Sequence, residues 1–455
     1  MALIRHNEAF TGTQAELDAD NPHLPPGVSA YASDTGTLRM GPGSWSSATE
    51  ISAVAAGAVR PTNLGTWVRA PFTTTAGGGG PAGNATSRRV VTFPHGVVDL
   101  QVVFCNWSLR STAPREIAAP TTLTISCSIE QTGLDPVHLT FGGKKSPTLD
   151  PWATVVSDPI GIDVAPGGTL AFRTYWTVPV PGTDEYVCNF LPLSSDTGEG
   201  HLAGDQTGNN NAVTSTVHYV FTPSGFLGNP ATGGGKLSIA SAGDSILAGQ
   251  GESTTQGFLQ LATTTTIPHQ RLAIGGDMAA TFVTTSQRRM GIAAGSSFVC
   301  EYGRNDCNTT DSQATIQANL VTIWNRALAR RFQVWQTTIT PYTSSSDSWA
   351  TVENQTVTTT NSRETKRLAI NAWIRDGAPL VDGVAVAAGT SVAVRAGDSD
   401  HPLTGYLEMA DAVESARDSG KWKASHTGDG LHPNGTGHEA MAAAVDLTVM
   451  AAALA

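Results

Sequence analysis

The sequence predicts a multidomain protein in which a β-rich N-terminal region precedes a doubly wound α/β domain. Gly (48 residues) and Pro (25) are abundant and only 14% of the 455 residues are charged, a composition typical of short strands joined by turns. Strand-like runs fill the first half, and from Lys236 onward strands alternate with helical patterns. This length predicts two or three domains, which we place at residues 1–55, 60–225 and 235–455.

The first segment, residues 1–55, is predicted to be a small β-rich module. Turn motifs at residues 25–27, 34–36 and 41–43 separate its short strand-like runs. The stretches at 12–17, 21–22, 27 and 33–41, together with Trp45, resemble a small module of bacteriophage tail-fibre and tail-tip proteins, where they often read GTAAEL, NP, GE, ETDTG, KIGDG and W.

Residues 60–225 have the alternation of a β-sandwich or jelly roll. The strand candidates, separated by Gly, Pro and Asp turns, are Val90–Phe93, Val97–Phe104, Thr122–Ile129, Val137–Phe141, Thr169–Trp176 and Ala212–Phe221. The turn-rich cluster Pro223–Gly235 is the expected linker to the next domain.

The region from Lys236 onward predicts a mostly parallel sheet covered by helices. Its strand candidates are Leu237–Ala240, Ser297–Tyr302 and Phe332–Thr340. Apolar residues at helical spacing predict a helix that contains Ile316, Leu320, Ile323, Trp324, Ala327 and Leu328. Further helices are expected at Leu368–Ile374 and across the tail from Gly437 to Ala455. Strand followed by helix, repeated, is typical of a doubly wound sheet.

Charge and hydropathy argue against several functional classes. The formal net charge is −11 and no run of basic residues occurs, which disfavours nucleic acid and membrane surfaces as partners. No apolar stretch reaches the ~18 residues that a membrane span needs. The start of the chain has no sustained apolar segment, so no secretory signal is predicted. The 5 cysteines are odd in number and sparse, and we expect buried free thiols rather than a disulfide framework.

A serine, a histidine and an aspartate are the candidate catalytic residues. The first strand leads into Gly243-Asp244-Ser245, which places the Ser245 hydroxyl at the carboxyl end of a parallel strand, where such sheets bind ligands. In Asp429-Gly430-Leu431-His432-Pro433, Gly430 permits a turn that brings the carboxylate to the imidazole. Asp429 would then fix the His432 tautomer, and His432 would accept the Ser245 proton. The competing histidines, which lack this context, are His401, His426 and His438.

Two further segments offer hydrogen-bond donors for a developing oxyanion. Asn305 follows the predicted strand Ser297–Tyr302, so its amide lies at the same edge of the sheet as Ser245. A backbone N–H within Ile274-Gly275-Gly276-Asp277 is the second candidate, with Gly276 preferred and Gly275 the alternative. Alone, Asn305 could cap a turn and either glycine could serve only a positive φ. Four such segments in this order indicate a catalytic site.

This order resembles the SGNH (GDSL-type) hydrolase superfamily, whose four blocks correspond to Gly243-Asp244-Ser245, Gly276, Gly303-x-Asn305-Asp306 and Asp429-x-x-His432. The resemblance implies a flavodoxin-like α/β/α domain and a serine esterase mechanism that requires no metal or organic cofactor. It also implies Ser245 as nucleophile, His432 as base, Asp429 as orienting carboxylate, and the Ser245 N–H, Gly276 and Asn305 as oxyanion donors. Ile246 departs from the Leu that often follows the serine, and the second block lacks a frequent upstream Asn.

The resemblances together imply hydrolysis of O-acyl esters, with O-acetyl groups of a bacterial surface polysaccharide as the expected substrate. A segment at 156–175 resembles a β-domain that precedes the esterase domain in some bacterial and phage hydrolases. Trp107, Trp152 and Trp176 in that region are expected to pack in the core or to stack on sugar rings. The expected location is a phage tail or phage-like particle, with other tail proteins as partners and a homotrimer as the assembly; otherwise the protein acts extracellularly without a recognisable signal peptide.

Two alternative functions remain open at this stage. The protein could be a virion structural or receptor-binding protein that uses the hydrolase fold as a carbohydrate-binding scaffold. It could also be a lipase or thioesterase that prefers longer acyl chains. Acetate release separates the first alternative from deacetylation, and preference for ester chain length separates the second.

Overall fold

The computed structural model describes residues 83–112, 115–131, 134–184, 186–190, 198–210, 219–231, 236–254 and 256–454, together with isolated positions and short strands elsewhere. The chain divides into two compact units. The first comprises Met1–Arg110, Glu116–Gly234 and Gln287–Ala294, and the second comprises Ser111–Arg115, Gly235–Ser286 and Gly295–Ala455. Each unit has its own apolar core.

The first unit is built mainly from strands. Before residue 75 these are β1 (Ile4–His6), β2 (Ala9–Gly12), β3 (His23–Leu24), β4 (Ser29–Ala32), β5 (Leu38–Met40), β6 (Gly43–Ser44), β7 (Thr49–Ser52), β8 (Thr62–Asn63), β9 (Val68–Arg69) and β10 (Phe72–Thr74). Of the tail-fibre-like segment at 1–55, only the backbone of these strands is described, and its other residues lie outside the described residues.

The remaining strands of the first unit, which include its longest ones, follow residue 83. They are β11 (Asn84–Phe93), β12 (Val98–Cys105), β13 (Trp107–Leu109), β14 (Glu116–Ala118), β15 (Leu123–Gln131), β16 (Leu134–His138), β17 (Thr148–Leu149), β18 (Thr154–Val156), β19 (Gly168–Thr177), β20 (Tyr186–Phe190), β21 (Gly200–Ala203), β22 (Tyr219–Val220) and β23 (Gly225–Asn229). One sheet has the order β16-β15-β19-β11-β21 and another the order β18-β12-β23-β8, with antiparallel neighbours in both.

An aromatic core joins these two sheets. Phe172 of β19 lies 4.9 Å from Phe226 of β23, and Phe93 of β11 lies 5.9 Å from the same ring, measured between ring centroids. Strand periodicity explains the arrangement, because alternate side chains of a strand point to the same face. Trp107 and Trp176 are fully buried in this unit, so neither is available to stack on a sugar.

The second unit contains a parallel sheet. Its strands are β24 (Ile239–Gly243), β25 (His269–Arg271), β26 (Ser297–Glu301), β27 (Gln333–Thr337) and β32 (Gly405–Leu407), in the order β32-β27-β26-β24-β25. Numbered along the chain, this is the order 2-1-3-4-5 of flavodoxin-like doubly wound sheets. Every residue of β24 and β26 is buried, as expected where helices cover both faces. The predicted parallel α/β domain is confirmed.

Short hairpins and helices complete the chain. The hairpin strands are β28 (Thr343–Ser345), β29 (Gln355–Val357), β30 (Leu380–Val381) and β31 (Val384–Ala385). The helices are α1 (Phe258–Thr263), α2 (Ala279–Thr285), α3 (Gln287–Ile292), α4 (Gln313–Ala329), α5 (Arg363–Arg375), α6 (Met409–Val413), α7 (Gly435–Ala443) and α8 (Leu447–Ala452), with 3₁₀ turns at Asp306–Asn308 and Thr360–Ser362. Of these helices, α3 belongs to the first unit.

The C-terminal helices differ from the sequence prediction in one respect. The tail was predicted as one helix from Gly437, but two helices, α7 and α8, occupy it. Asp446 is the reason, because its carboxylate accepts hydrogen bonds from the N–H groups of Thr448 and Val449 and so caps a new helix. The predicted helix around Ile316 is present as α4, although Leu328 is exposed rather than packed inward.

The sequence predicts buried free cysteines and no apolar stretch long enough to span a membrane. Within the described residues, Cys105, Cys127, Cys300 and Cys307 are buried free thiols. No helix in that part of the chain is long and apolar enough to cross a bilayer.

Candidate active site

The turn after β24 presents Ser245. Gly243 ends the strand, where a Cβ would lie 2.8 Å from the Cβ of Glu301, so only glycine fits without a shift. The Asp244 N–H donates to Glu301 Oε2 (3.0 Å), and the Ile246 N–H donates to Asp244 Oδ1 (2.9 Å). Side-chain acceptors on both sides of Ser245 therefore fix the backbone of this turn.

The loop before α7 brings Asp429 and His432 to this serine. His432 Nε2 lies 2.9 Å from Ser245 Oγ, and His432 Nδ1 lies 2.6 Å from Asp429 Oδ2. The other carboxylate oxygen, Asp429 Oδ1, accepts the N–H groups of Leu431 (2.8 Å) and His432 (2.7 Å). The carboxylate thus shapes its own loop and orients the imidazole. The structure places the three predicted catalytic side chains in one hydrogen-bonded chain.

Electrostatics favour one tautomer of His432. Burial raises the pKa of Asp429, but hydrogen bonds from the His432 side chain and from the His432 and Leu431 N–H groups outweigh this effect and hold the pKa below its usual value. An ionised Asp429 only accepts hydrogen bonds, so the proton of neutral His432 belongs on Nδ1. The Nε2 lone pair then faces the Ser245 hydroxyl. This is the arrangement in which a histidine acts as general base toward a serine.

Asn305 lies beside the nucleophile turn with its amide already engaged. Its Nδ2 donates to Asp244 Oδ2 (3.1 Å) and to the Asp277 carbonyl oxygen (2.9 Å). Since an amide nitrogen carries two hydrogens, Asn305 reaches an oxyanion only by sharing one of them. Its assignment as an oxyanion donor therefore stays a prediction.

The two glycines of the Gly275-Gly276 pair have different surroundings. A Cβ on Gly275 would lie 3.8 Å from the Cβ of Ser245, whereas the three atoms nearest to a Cβ on Gly276 belong to Arg115 and Ser111. Gly276 has φ of +73°, which favours glycine. The preference for Gly276 stays a prediction, and these contacts favour the alternative, Gly275, as the glycine beside the nucleophile.

Sequence reasoning missed the buried carboxyl groups beneath the site. Burial raises the pKa of Asp244 to about 7 and that of Asp306 to about 6, and burial together with the neighbouring Asp244 raises the pKa of Glu301 well above its usual value. Asp277 is also fully buried. The sequence of β26 does indicate one of these buried carboxyl groups, because Glu301 is an acidic residue at the end of an otherwise uncharged strand.

The competing histidines lie elsewhere. His401 Nε2 lies 2.8 Å from the Ala378 carbonyl oxygen, and His438 Nε2 lies 3.1 Å from that of Gln250. Burial lowers the pKa of His438 to about 4. His426 is half-buried, with Nδ1 2.9 Å from the Ala424 carbonyl oxygen. Across the part of the chain that is described, no group of His, Cys, Asp or Glu side chains is arranged to hold a metal ion.

Comparison with protein families and with curated proteins finds no match. Among solved structures, the chain is similar to a GDSL-like lipase from Bacteroides thetaiotaomicron at 13% identity, covering 47% of this chain and 88% of that chain with a TM-score of 0.33. An alpha/beta hydrolase enzyme from the metagenome of Lake Arreo, Spain, matches at 13% identity over 49% of this chain and 98% of that chain, with a TM-score of 0.33. A salicylyl-acyltransferase from a tetracycline biosynthetic pathway matches at 12% identity over 79% of each chain, with a TM-score of 0.30.

Proposed function

We propose that this protein is a serine carboxylic-ester hydrolase of the SGNH (GDSL-type) class. The observation that supports the proposal is the unbroken chain from Ser245 Oγ to His432 Nε2 (2.9 Å) and from His432 Nδ1 to Asp429 Oδ2 (2.6 Å). A serine hydroxyl is a weak nucleophile unless a base takes its proton, and a base oriented by a third group performs this role.

The proposed reaction has two steps. Ser245 Oγ attacks the acyl carbon while its proton passes to His432 Nε2, and the tetrahedral intermediate then expels the alcohol, which takes that proton from His432. The acyl group is now bound to Ser245 as an ester. Water attacks this ester with His432 again as base, which releases the carboxylic acid and restores the serine. Asp429 stabilises the imidazolium in both steps.

The oxyanion of each tetrahedral intermediate requires donors near Ser245. The proposed donors are the Ser245 N–H, a glycine N–H of the Gly275-Gly276 pair and the Asn305 amide. Asn305 donates to Asp244, whose pKa burial raises to about 7, so protonation of that carboxyl would weaken its competition for the Asn305 hydrogens. Preorganised donors of this kind lower the barrier because they need no reorientation as charge develops.

We further propose that the substrate is an O-acetyl group on a bacterial surface polysaccharide and that the protein acts as part of a phage tail or phage-like particle, together with other tail proteins. The support is the tail-fibre-like sequence at 12–45 and the strand-rich first unit that precedes the site. A homotrimer is part of the same proposal. Among the tryptophans of the first unit that the structure describes, Trp152 retains exposure, with the Arg288 guanidinium 3.8 Å from its ring centroid.

The test compares the wild type with Ser245→Ala and with Ser253→Ala, an exposed serine, as the matched control. On p-nitrophenyl acetate we expect Ser245→Ala to lose about 10⁶ in kcat and Ser253→Ala to match the wild type. Retained turnover in Ser245→Ala refutes the assignment. Acetate released from acetylated polysaccharides supports the substrate proposal, whereas binding without acetate release favours a receptor-binding role. A preference for long-chain nitrophenyl esters favours a lipase or thioesterase.

A further inference from the structure

An arginine far away in the sequence supports the loop that follows β25. Residues 111–115 lie between β13 and β14 in the chain, yet they belong to the second unit. The Arg115 guanidinium donates to the carbonyl oxygens of Ser111 and Gly276 through its two terminal nitrogens, and its Nε lies 3.4 Å from Asp277 Oδ1. Arg115 is 6% exposed and Asp277 is fully buried. Arg115 therefore holds both a backbone carbonyl and a buried carboxylate of this loop.

Asp277 extends this contact toward the nucleophile. Its Oδ2 accepts the Tyr302 hydroxyl (2.9 Å), and its carbonyl oxygen accepts Asn305 Nδ2 (2.9 Å). Asn305 in turn donates to Asp244, the residue before Ser245. The two segments that supply candidate oxyanion donors, Gly275-Gly276 and Asn305, thus meet at Asp277, with which Arg115 forms an ion pair.

We propose that Arg115 is a positioning residue for the oxyanion hole. The inference rests on the proposed serine-esterase function. Gly275 and Gly276 lack side chains, so this segment has more backbone freedom than any other dipeptide and needs an external support to hold a donor in place. A charge-assisted hydrogen bond to the Gly276 carbonyl provides that support.

The charge of Arg115 has a second effect. Removal of Arg115 takes away one positive charge beside the buried carboxylate of Asp277, in a region that also contains Asp244 and Asp306. The loss of a positive charge near these carboxyl groups disfavours a further negative charge, and the tetrahedral intermediate carries such a charge. Loss of Arg115 therefore disturbs both the geometry and the electrostatics of the transition state, while the ground-state ester, which is neutral, is little affected.

The catalytic test uses the full chain with Arg115→Ala and Arg115→Lys. We expect Arg115→Ala to lower kcat on p-nitrophenyl acetate by about 10²-fold with KM changed by less than about threefold, because the defect arises in the transition state. The kcat of Arg115→Lys should lie between those of Arg115→Ala and the wild type. An ammonium group keeps the positive charge but cannot donate through two terminal nitrogens as a guanidinium does. Added guanidinium ion should restore part of the Arg115→Ala activity.

The control is Arg88→Ala, which removes a largely buried arginine paired with Glu130 in the first unit. It should retain the kcat of the wild type. The inference is overturned if Arg115→Ala keeps kcat within about threefold of the wild type. It is also overturned if the kcat losses of Arg115→Ala and Arg88→Ala simply follow their losses of thermal stability.

A second measurement keeps the two proposals distinguishable. If the wild type shows no Ser245-dependent hydrolysis, the proposed function fails, and amide hydrogen exchange then decides the role of Arg115. Faster exchange at residues 274–277 in Arg115→Ala than in the wild type supports the positioning role. Unchanged exchange at these residues overturns it.

Discussion

Gly430, in the middle of the Asp429–His432 loop, offers a sharp test of how the site depends on its surroundings. It has φ of +76°. A Cβ at this position would lie 2.7 Å from Trp349 Cζ2 and closer still to the carbonyl oxygen of Thr343. The Thr343 N–H also donates to the Gly430 carbonyl oxygen (3.0 Å), so the two backbones are tied together at this point. The substitution Gly430→Ala forces these two segments apart.

The size of the effect follows from these distances. Ordinary van der Waals contact begins near 3.4 Å, so the loop must move by roughly 1 Å, and a 1 Å displacement of a catalytic group costs about 10²-fold in rate. The left-handed conformation adds about 1–2 kcal/mol of strain for alanine. Together with the broken contact, this strain should lower the free energy of unfolding by an amount on the order of 2 kcal/mol. A loss of that size lowers the unfolding midpoint of a domain of this size by about 4–8 °C.

The matched control is Gly428→Ala in the same loop, where a Cβ would meet nothing within 4 Å. Both variants are assayed for kcat on p-nitrophenyl acetate and for thermal unfolding. Gly430→Ala should lose about 10²-fold in kcat, while Gly428→Ala should match the wild type. The reasoning is refuted if Gly430→Ala retains wild-type kcat, or if both variants lose activity equally.

Two further predictions concern carboxyl groups. Asp429→Asn should lower kcat by about 10⁴-fold, because an amide that donates to Nδ1 fixes the wrong His432 tautomer. The control is Asp382→Asn, which changes an exposed aspartate. Equal kcat values for the two variants would contradict the role of Asp429 in the triad. Glu301→Gln keeps an oxygen that can accept from the Asp244 N–H. The raised pKa of Glu301 means that its stabilising contribution is complete below its unfolded pKa and is lost as pH rises through the folded pKa. The melting temperature of Glu301→Gln should therefore rise relative to that of the wild type with increasing pH above about 4.5, and a constant difference would show that Glu301 is ionised throughout.

The sequence predicted the α/β elements well where a local pattern was strong. The apolar face around Ile316 predicted α4, and the run Ser297–Tyr302 predicted β26, because a helix period and a continuous buried strand are visible in neighbouring residues. The terminal helix was predicted as continuous because the apolar pattern runs past Asp446. The capping hydrogen bonds from Asp446 interrupt it, and side-chain capping is a weaker signal than periodicity.

The residues of the candidate site likewise fall into those that a local motif predicted and those that it did not. Ser245, Asp429 and His432 were predicted from motifs whose spacing limits the geometry, since Asp429 and His432 share one loop. Glu301 and Arg115 were not predicted. Glu301 acts through the Asp244 N–H, and Arg115 reaches Gly276 across 161 positions of the chain. Neither residue lies in a local sequence motif that indicates which residue it contacts.

The sequence by itself determined which residue types carry the chemistry and on which strand ends and loops they lie, because hydrophobic periodicity and turn residues act over a few positions. The tertiary structure alone decided that Ser245 Oγ and His432 Nε2, 187 positions apart, lie 2.9 Å from each other. It also decided which buried charges surround them. Burial and long-range pairing depend on how the whole sheet and its covering segments pack, and it is this packing that fixes the distances and the protonation of the site.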